Sequence, residues 1–281
     1  MRGQWKPLSD SQRDDIARKY AAGSSGLRLS IEYGISVNRV QRIVHRSGAS
    51  VRGQSEGNRV YQCDHSFFDV IDTEPKAYWL GFVMADGCIT DVNRMKVTII
   101  ATDARHLEKF RDAMASTHPV RIDHNRGGFC PHDTAELSIR SDGLVSGLSA
   151  HGVTERKSLT ATPPTLRADL TRHFWRGMID GDGFITSTDR GGRLRWAVGV
   201  TGSLATAEAF ASFASTACGT SARPHRNHSI WTTTVGGNVK AKAMMDALYD
   251  DSTVYLDRKM DRYRDALKSF AAPRRDAKRG D

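Results

Sequence analysis

No stretch of this 281-residue chain approaches the roughly 18 consecutive apolar residues of a membrane span. The opening residues, MRGQWKPLSD, hold no apolar core of the signal-peptide kind. No membrane partner is expected, and the chain reads as intracellular and cytoplasmic. Cysteine is scarce: Cys63, Cys88, Cys130 and Cys218 are scattered without a Cys-x-x-Cys pair, which argues against a disulfide framework. Cys63 and His65, with Cys130 and His132, lack the spacing of a zinc finger. Acidic residues are outnumbered, 32 against 41 Lys and Arg, for a net charge of +9. A basic balance points to an acidic partner, most often nucleic acid.

The positive charge is concentrated at the front, where residues 1–60 carry +6 of the +9. LSDSQRDDIARKYAAG opens on a capping serine and places Ile16, Ala17 and Tyr20 on one helical face. In the following SSGLRLSIEYGISVNRVQRIVHRSG, Leu29 and Tyr33 are one turn apart, Gly34 allows a tight turn, and Ser36 can cap a helix whose buried face is Val40 and Val44. Helix, glycine turn and basic helix make a helix-turn-helix pattern. EYGISVNRVQRIV resembles the resolvase and homeodomain-like group. Opposite Val40 and Val44 lie Asn38, Arg39, Arg42 and Arg46, types that read base edges and grip phosphate. The expected boundaries are 1–48 for this domain and 49–60 for a Gly/Ser-rich linker.

The remainder repeats. AYWLGFVMADGCIT from Ala77 aligns without a gap on HFWRGMIDGDGFIT from His173, setting Asp86 on Asp182, ninety-six residues apart. Each copy is followed by strands, a helix, two short strands and a last helix ending near TERKSL or LDRKMD, with Lys157 and Lys259 in matching places. Two copies of a period near 100 imply a duplicated domain with pseudo-twofold symmetry.

A glycine inside a helix costs about 1 kcal/mol relative to alanine, so the motif needs a compensating reason. Gly81 and Ala85, and Gly177 and Gly181, fall on one helical face. Small residues there let two helices cross backbone to backbone, which brings Asp86 and Asp182 together at the helix ends. Two adjacent carboxylates repel, and each lies in the negative field of a helix C-terminus. A divalent cation such as Mg²⁺ makes the arrangement favourable. With a DNA-binding module beside it, that points to phosphodiester hydrolysis.

WLGFVMADG and WRGMIDGDG resemble the two signature motifs of single-chain LAGLIDADG homing endonucleases. The resemblance implies an α+β fold, two pseudo-symmetric αββαββα repeats (61–165 and 166–272) forming a DNA-binding saddle, after the small all-α domain and before a basic tail at 273–281. It implies that Asp86 and Asp182 bind the catalytic metal, with help from the carbonyls of Ala85 and Gly181, and that Lys157 and Lys259 are catalytic. The sixth motif position is Asp180 in the second copy but Met84 in the first, a position that supports structure in that family. The expected partner is double-stranded DNA, cut by a monomer at a long asymmetric site.

Period two turns Met95, Val97 and Ile99 to the core and leaves Arg94, Lys96 and Thr98 for DNA. It likewise turns Leu194, Trp196, Val198 and Val200 inward, leaving Arg193, Arg195 and Thr201, and exposes Glu136, Ser138 and Arg140. Two other functions fit the same scaffold: a non-catalytic transcriptional regulator, which would lose the two aspartates, and a splicing maturase with intron RNA as its partner.

Overall fold

The computed structural model describes residues 7–48, 60–91, 93–124, 132–155, 157 and 160–271. Linker residues 49–59, Cys130 and the tail at 273–281 lie outside the described residues. The chain divides between Gln62 and Cys63 into two compact units.

The first unit is three helices. α1 (Asp10–Ala21) begins with a capping box: the Ser9 hydroxyl accepts from the Gln12 amide, and the Gln12 side chain accepts from the Ser9 amide. α2 (Gly26–Tyr33) ends on Gly34, whose φ of 64° is the left-handed conformation that glycine adopts without a Cβ penalty. α3 (Val37–Arg46) has Ser36 at its N-cap position, but no side-chain capping bond forms, contrary to expectation. Leu8, Ile16, Tyr20, Leu29, Val40 and Val44 form the core. Leu8 precedes α1 and the others come from all three helices, which explains why none needs to be stable alone.

The second unit repeats one order of elements. Its first half runs α4 (Glu74–Asp86), β1 (Gly87–Thr90), β2 (Arg94–Ile100), α5 (Ala104–Ala113), β3 (Arg121–Asp123), β4 (Thr134–Arg140) and α6 (Asp142–Ala150). Its second half runs α7 (Ala168–Gly181), β5 (Gly183–Asp189), β6 (Leu194–Gly202), α8 (Leu204–Cys218), β7 (His225–Asn227), β8 (Ile230–Gly236) and α9 (Asn238–Tyr249). A further helix, α10 (Asp257–Ala271), follows. The expected αββαββα order holds in both halves. Lys259, expected at the end of a last helix, instead stands in the first turn of α10. Each half has a four-stranded antiparallel sheet, in the orders β1-β2-β4-β3 and β5-β6-β8-β7.

Both sheets bury one face in a single core that spans the two halves. Met95 and Val97 of β2, Ala135, Leu137 and Ile139 of β4, and Trp196, Val198 and Val200 of β6 are buried. Leu194 is the exception, at 37% exposed. It pairs with Asp189 at the outer end of β6, beside the turn at 190–193, where no core side chain reaches it.

α4 and α7 cross at the centre of that core with their backbones touching. A Cβ on Gly81 would lie 2.1 Å from the Phe174 carbonyl oxygen, and one on Gly177 would lie 2.1 Å from that of Tyr78. A Cβ on Gly181 would come within 2.4 Å of the Ala85 Cβ. No side chain fits in those gaps. Glycine is required here by the close approach, although its helix propensity is poor.

Gly177→Ala and Gly181→Ala are therefore expected to destabilise the second unit, by about 1–3 kcal/mol or more, as overpacking does, and Gly177→Leu is expected to prevent folding. Gly236→Ala is the control, since a Cβ there meets nothing within 4 Å. Thermal unfolding of the variants checks this, and wild-type melting of Gly177→Leu would overturn the crossing.

Candidate active site

The crossing sets the two aspartates side by side. Asp86 is the last residue of α4, and Asp182 is the C-cap residue of α7. A Cβ on Gly181 would lie 3.1 Å from Asp86 Oδ2, so the carboxylate of one half rests against the backbone of the other. The two lysines arrive from elsewhere. Lys157 Nζ donates to the carbonyls of Gly87 (2.5 Å) and Ala85 (3.1 Å). Lys259 Nζ donates to the carbonyl of Gly183, the residue that matches Gly87. Each ammonium thus sits on the backbone just past its own half's aspartate, and both lysines are buried at 6% exposure. The Ala85 carbonyl, which the resemblance assigns to the metal, is occupied by Lys157 here.

Each lysine segment is tethered to the opposite half. After Lys157, the Ala161 carbonyl accepts from the hydroxyls of Ser203 (2.5 Å) and Thr206 (3.3 Å), at the start of α8. Beside Lys259, Arg258 pairs with Asp103 at the N-cap of α5 (2.7 Å), and Asp257 pairs with Lys109 (2.7 Å). Neither tether is legible in the sequence, because its partners are far apart along the chain and follow no local pattern.

Burial dominates the electrostatics. It pushes the Asp86 carboxyl up to about 7, with Asp182 pushing in the same direction and Lys157 opposing. Asp182 is raised by burial against the pull of both lysines. Burial lowers Lys157, and burial with the neighbouring Arg258 brings Lys259 down to about 8.

The donor set suits a hard divalent cation. Among the described residues, no side chain or amide donor hydrogen-bonds or ion-pairs either carboxylate. Asp86 is half-buried and Asp182 exposed, and two adjacent carboxylates with no such partner among the described residues repel each other unless a cation joins them. No group of three or more His, Cys, Asp or Glu suited to an ion gathers among the described residues. Two carboxylates and backbone carbonyls leave room for water or phosphate oxygens, as Mg²⁺ prefers. A cavity of about 260 Å³ lies alongside, lined by Met84, Ala85, Lys157, Asp182, Thr201 and Ser203 among others.

The faces of the sheets turned from the core carry the strand residues singled out from sequence. On the first sheet these are Arg94, Lys96 and Thr98 of β2 and Arg140 of β4, with Glu136 and Ser138. Lys96 pairs with Glu136 at 2.6 Å, and Asp91 lies 3.2 Å from Arg94 and 3.7 Å from Arg140. On the second sheet, Arg195 and Thr201 of β6 share the outer face with Thr232 and Thr234 of β8. Arg193 stands in the turn just before β6 and is exposed. Phe184 of β5, which period-two reasoning did not single out, covers Gly199 on this face; a Cβ on that glycine would lie 2.6 Å from the ring. In the first unit, Asn38, Arg42 and Arg46 of α3 are exposed and Arg39 is half-buried.

No family model and no curated protein sequence matches the chain. Among solved structures, the LAGLIDADG homing endonuclease I-GzeII, in complex with its DNA target, is similar over 71% of this chain and 89% of its own, with a TM-score of 0.51 at 9% identity. The meganuclease I-SmaMI, bound to uncleaveable DNA, overlaps 71% of this chain and 89% of its own, with a TM-score of 0.48 at 13% identity. Full-length DUF199/WhiA from Thermatoga maritima overlaps 75% of this chain and 66% of its own, with a TM-score of 0.46 at 12% identity. The fold of the second unit is thus the two-repeat LAGLIDADG saddle.

The raised Asp86 carboxyl has a definite thermodynamic sign. The folded state holds this proton more tightly than the unfolded chain, so Asp86 contributes stability below pH 4 that is lost as pH rises to about 7. In chelator, Asp86→Asn is expected to melt above wild type at pH 7.5, with the gap closing toward pH 4. Added Mg²⁺ should raise the melting temperature of wild type at pH 7.5 and leave Asp86→Asn unchanged. Equal responses of the two proteins to Mg²⁺ would show that Asp86 does not bind the ion.

Proposed function

We propose that this chain is a site-specific, Mg²⁺-dependent DNA endonuclease that breaks both strands of a long asymmetric target. The observation that carries this reading is the convergence of Asp86, Asp182, Lys157 and Lys259 on one helix crossing, between two sheets whose outer faces bear Arg94, Lys96, Arg140 and Arg195. Asp86 and Asp182 hold the divalent ion, which supplies Lewis-acid stabilisation at the phosphate and lowers the pKa of a water nucleophile. The ammonium groups of Lys157 and Lys259 stabilise the charge that develops on the phosphate. With its amine brought down to about 8, Lys259 can also hold or release a proton at Nζ near neutral pH. The first unit adds affinity through α3, whose exposed Asn38, Arg42 and Arg46, with Arg39, face a duplex. One chain carries both halves of the site, so a monomer suffices.

Incubating the protein with a randomised duplex library in Mg²⁺ and sequencing the cut ends identifies the target. Asp86→Asn and Asp182→Asn are expected to abolish cleavage of that target while binding it within about threefold of wild type, because they remove the ion and not the sheets. Lys157→Ala and Lys259→Ala should each slow single-turnover cleavage about a hundredfold, the usual scale for removing one charge-stabilising group. Full cleavage by either aspartate variant would overturn the site. A wild type that selects a duplex sequence without cutting it would make the protein a regulator.

Removing residues 1–59 takes away the whole +6 borne by residues 1–60. The truncated protein is expected to keep its cleavage chemistry, bind more weakly, and show a flatter salt dependence, by about 0.9 in log–log slope for each phosphate that is no longer neutralised. Its footprint should shorten on one side. An unchanged slope and footprint would mean that α3 does not touch DNA.

A further inference from the structure

A buried polar cluster is built on Arg176 and Asp180 of the second half, whose matching residues in the first half, Leu80 and Met84, are apolar. Asp180 is fully buried and accepts hydrogen bonds from the hydroxyls of Tyr78 (2.6 Å) and Tyr249 (2.6 Å) and from the backbone amide of Leu256 (2.7 Å). One turn earlier, Arg176 is also fully buried; it donates to the carbonyls of Leu248 and Val254, each at 2.8 Å, and pairs with Glu74 at 2.6 Å. Glu74 in turn accepts from the Thr253 amide at 2.8 Å. These bonds converge on one stretch of chain, the connection from α9 to α10. Leu256 is where it becomes helix, since its carbonyl accepts from the amides of Lys259 (2.9 Å) and Met260 (3.1 Å).

The matching positions ninety-six residues away are apolar. Leu80 stands for Arg176, Met84 for Asp180, and Leu170 for Glu74. The Met84 methyl lies 3.8 Å from where a Cβ on Gly152 would sit, and Met84 lines the cavity beside Lys157. The segment leading to Lys157 therefore packs on a thioether where the segment leading to Lys259 is held by hydrogen bonds.

We propose that Asp180 is the positioning residue for Lys259: by fixing the start of α10 it sets the Lys259 ammonium on the Gly183 carbonyl, so that one of the two cleavage centres depends on a clamp built on a buried carboxylate and the other, whose matching residue is Met84, does not. This deepens the nuclease reading above and rests on it. Loss of the clamp turns an enzyme that cuts two strands into one that nicks.

The test uses full-length protein and a duplex carrying the library-selected sequence, each strand with its own fluorophore, under single-turnover conditions in Mg²⁺. Asp180→Met, which copies the first half, is expected to slow by about tenfold or more the same strand that Lys259→Ala slows, leaving the other within about twofold. The double variant should be no slower than Lys259→Ala alone, because the two residues act as a unit. Asp180→Asn, nearly isosteric and still an acceptor for the Leu256 amide, should show a smaller effect on the same strand; it carries the comparison if the methionine variant does not fold. Equal slowing of both strands, or additive effects, would overturn the proposal. Hydrogen exchange without DNA gives a second reading: the amides of residues 256–260 should exchange about tenfold or more faster in the variant, with those of residues 95–99 unchanged. Unaltered exchange would overturn the clamp even in a protein that cuts DNA. A wild type that cuts no DNA would sink the nuclease reading alone, and the exchange result would still decide whether the clamp exists.

Discussion

The close approach of the α4 and α7 backbones governs the rest of the structure. With Gly81 and Gly177 each placed where a Cβ would meet a carbonyl of the other helix, the helix axes can come near each other. That approach sets how near Asp86 and Asp182 come. It also fixes the two sheets relative to each other, because each sheet packs against the same central pair of helices. Two interior glycines cost about 2 kcal/mol of helix propensity. The aromatic and aliphatic side chains buried around the crossing, among them Tyr78, Trp79, Phe82, Phe174 and Trp175, outweigh that cost many times over, since full burial of one such side chain is worth about 1.5–3 kcal/mol.

Charge is arranged at the crossing with unusual restraint. Two carboxylates, one half-buried and one exposed, and two buried ammonium groups are gathered in one place, so the formal charge there sums to zero. They do not form ion pairs among the described residues. The lysines bind carbonyl oxygens instead, and the carboxylates keep their lone pairs free. Direct pairing would satisfy the four groups and leave nothing with which to hold an ion or a phosphate. Backbone carbonyls just past each aspartate keep each ammonium close enough to act and too well occupied to quench its neighbour. The tethers from Ser203 to Ala161 and from Asp103 to Arg258 reinforce this, since each half supplies the support for the other half's lysine.

What could be read in the sequence was local. The two motifs are contiguous, their ungapped alignment exposes the repeat, and the repeat offset leads on to the lysines. Strict alternation in RMKVTII and AELSIR gave the buried faces of β2 and β4, because a half-buried antiparallel strand has period two. The same rule failed at Leu194, where the strand outruns the core. Ser36 stands at its helix start without bonding to it, since a capping residue type does not fix its rotamer. α10 was hidden because its first turn reads as the end of the helix before it. The sixth motif position showed a difference between copies, Asp180 against Met84, but its meaning depends on Tyr249 and Leu256, 69 and 76 residues further on.

That difference also explains how a duplicated chain keeps its halves from pairing wrongly. Glu74 and Tyr78 of the first half face Arg176 and Asp180 of the second, while their symmetry counterparts Leu170, Phe174, Leu80 and Met84 are apolar. A pairing of two second halves would set Arg176 against leucine and Asp180 against phenylalanine, so that Arg176 would lose the Glu74 carboxylate and Asp180 the Tyr78 hydroxyl, keeping only their partners within the second half. Breaking a buried pair in that way costs about 3–5 kcal/mol. A pairing of two first halves would leave the Glu74 carboxylate facing leucine. Only the unlike pairing satisfies every polar group, so the polar residues matter less for how strongly the helices cross than for which helices cross. The asymmetry of the crossing carries through to the two lysine segments: one rests on its polar side and one on its apolar side.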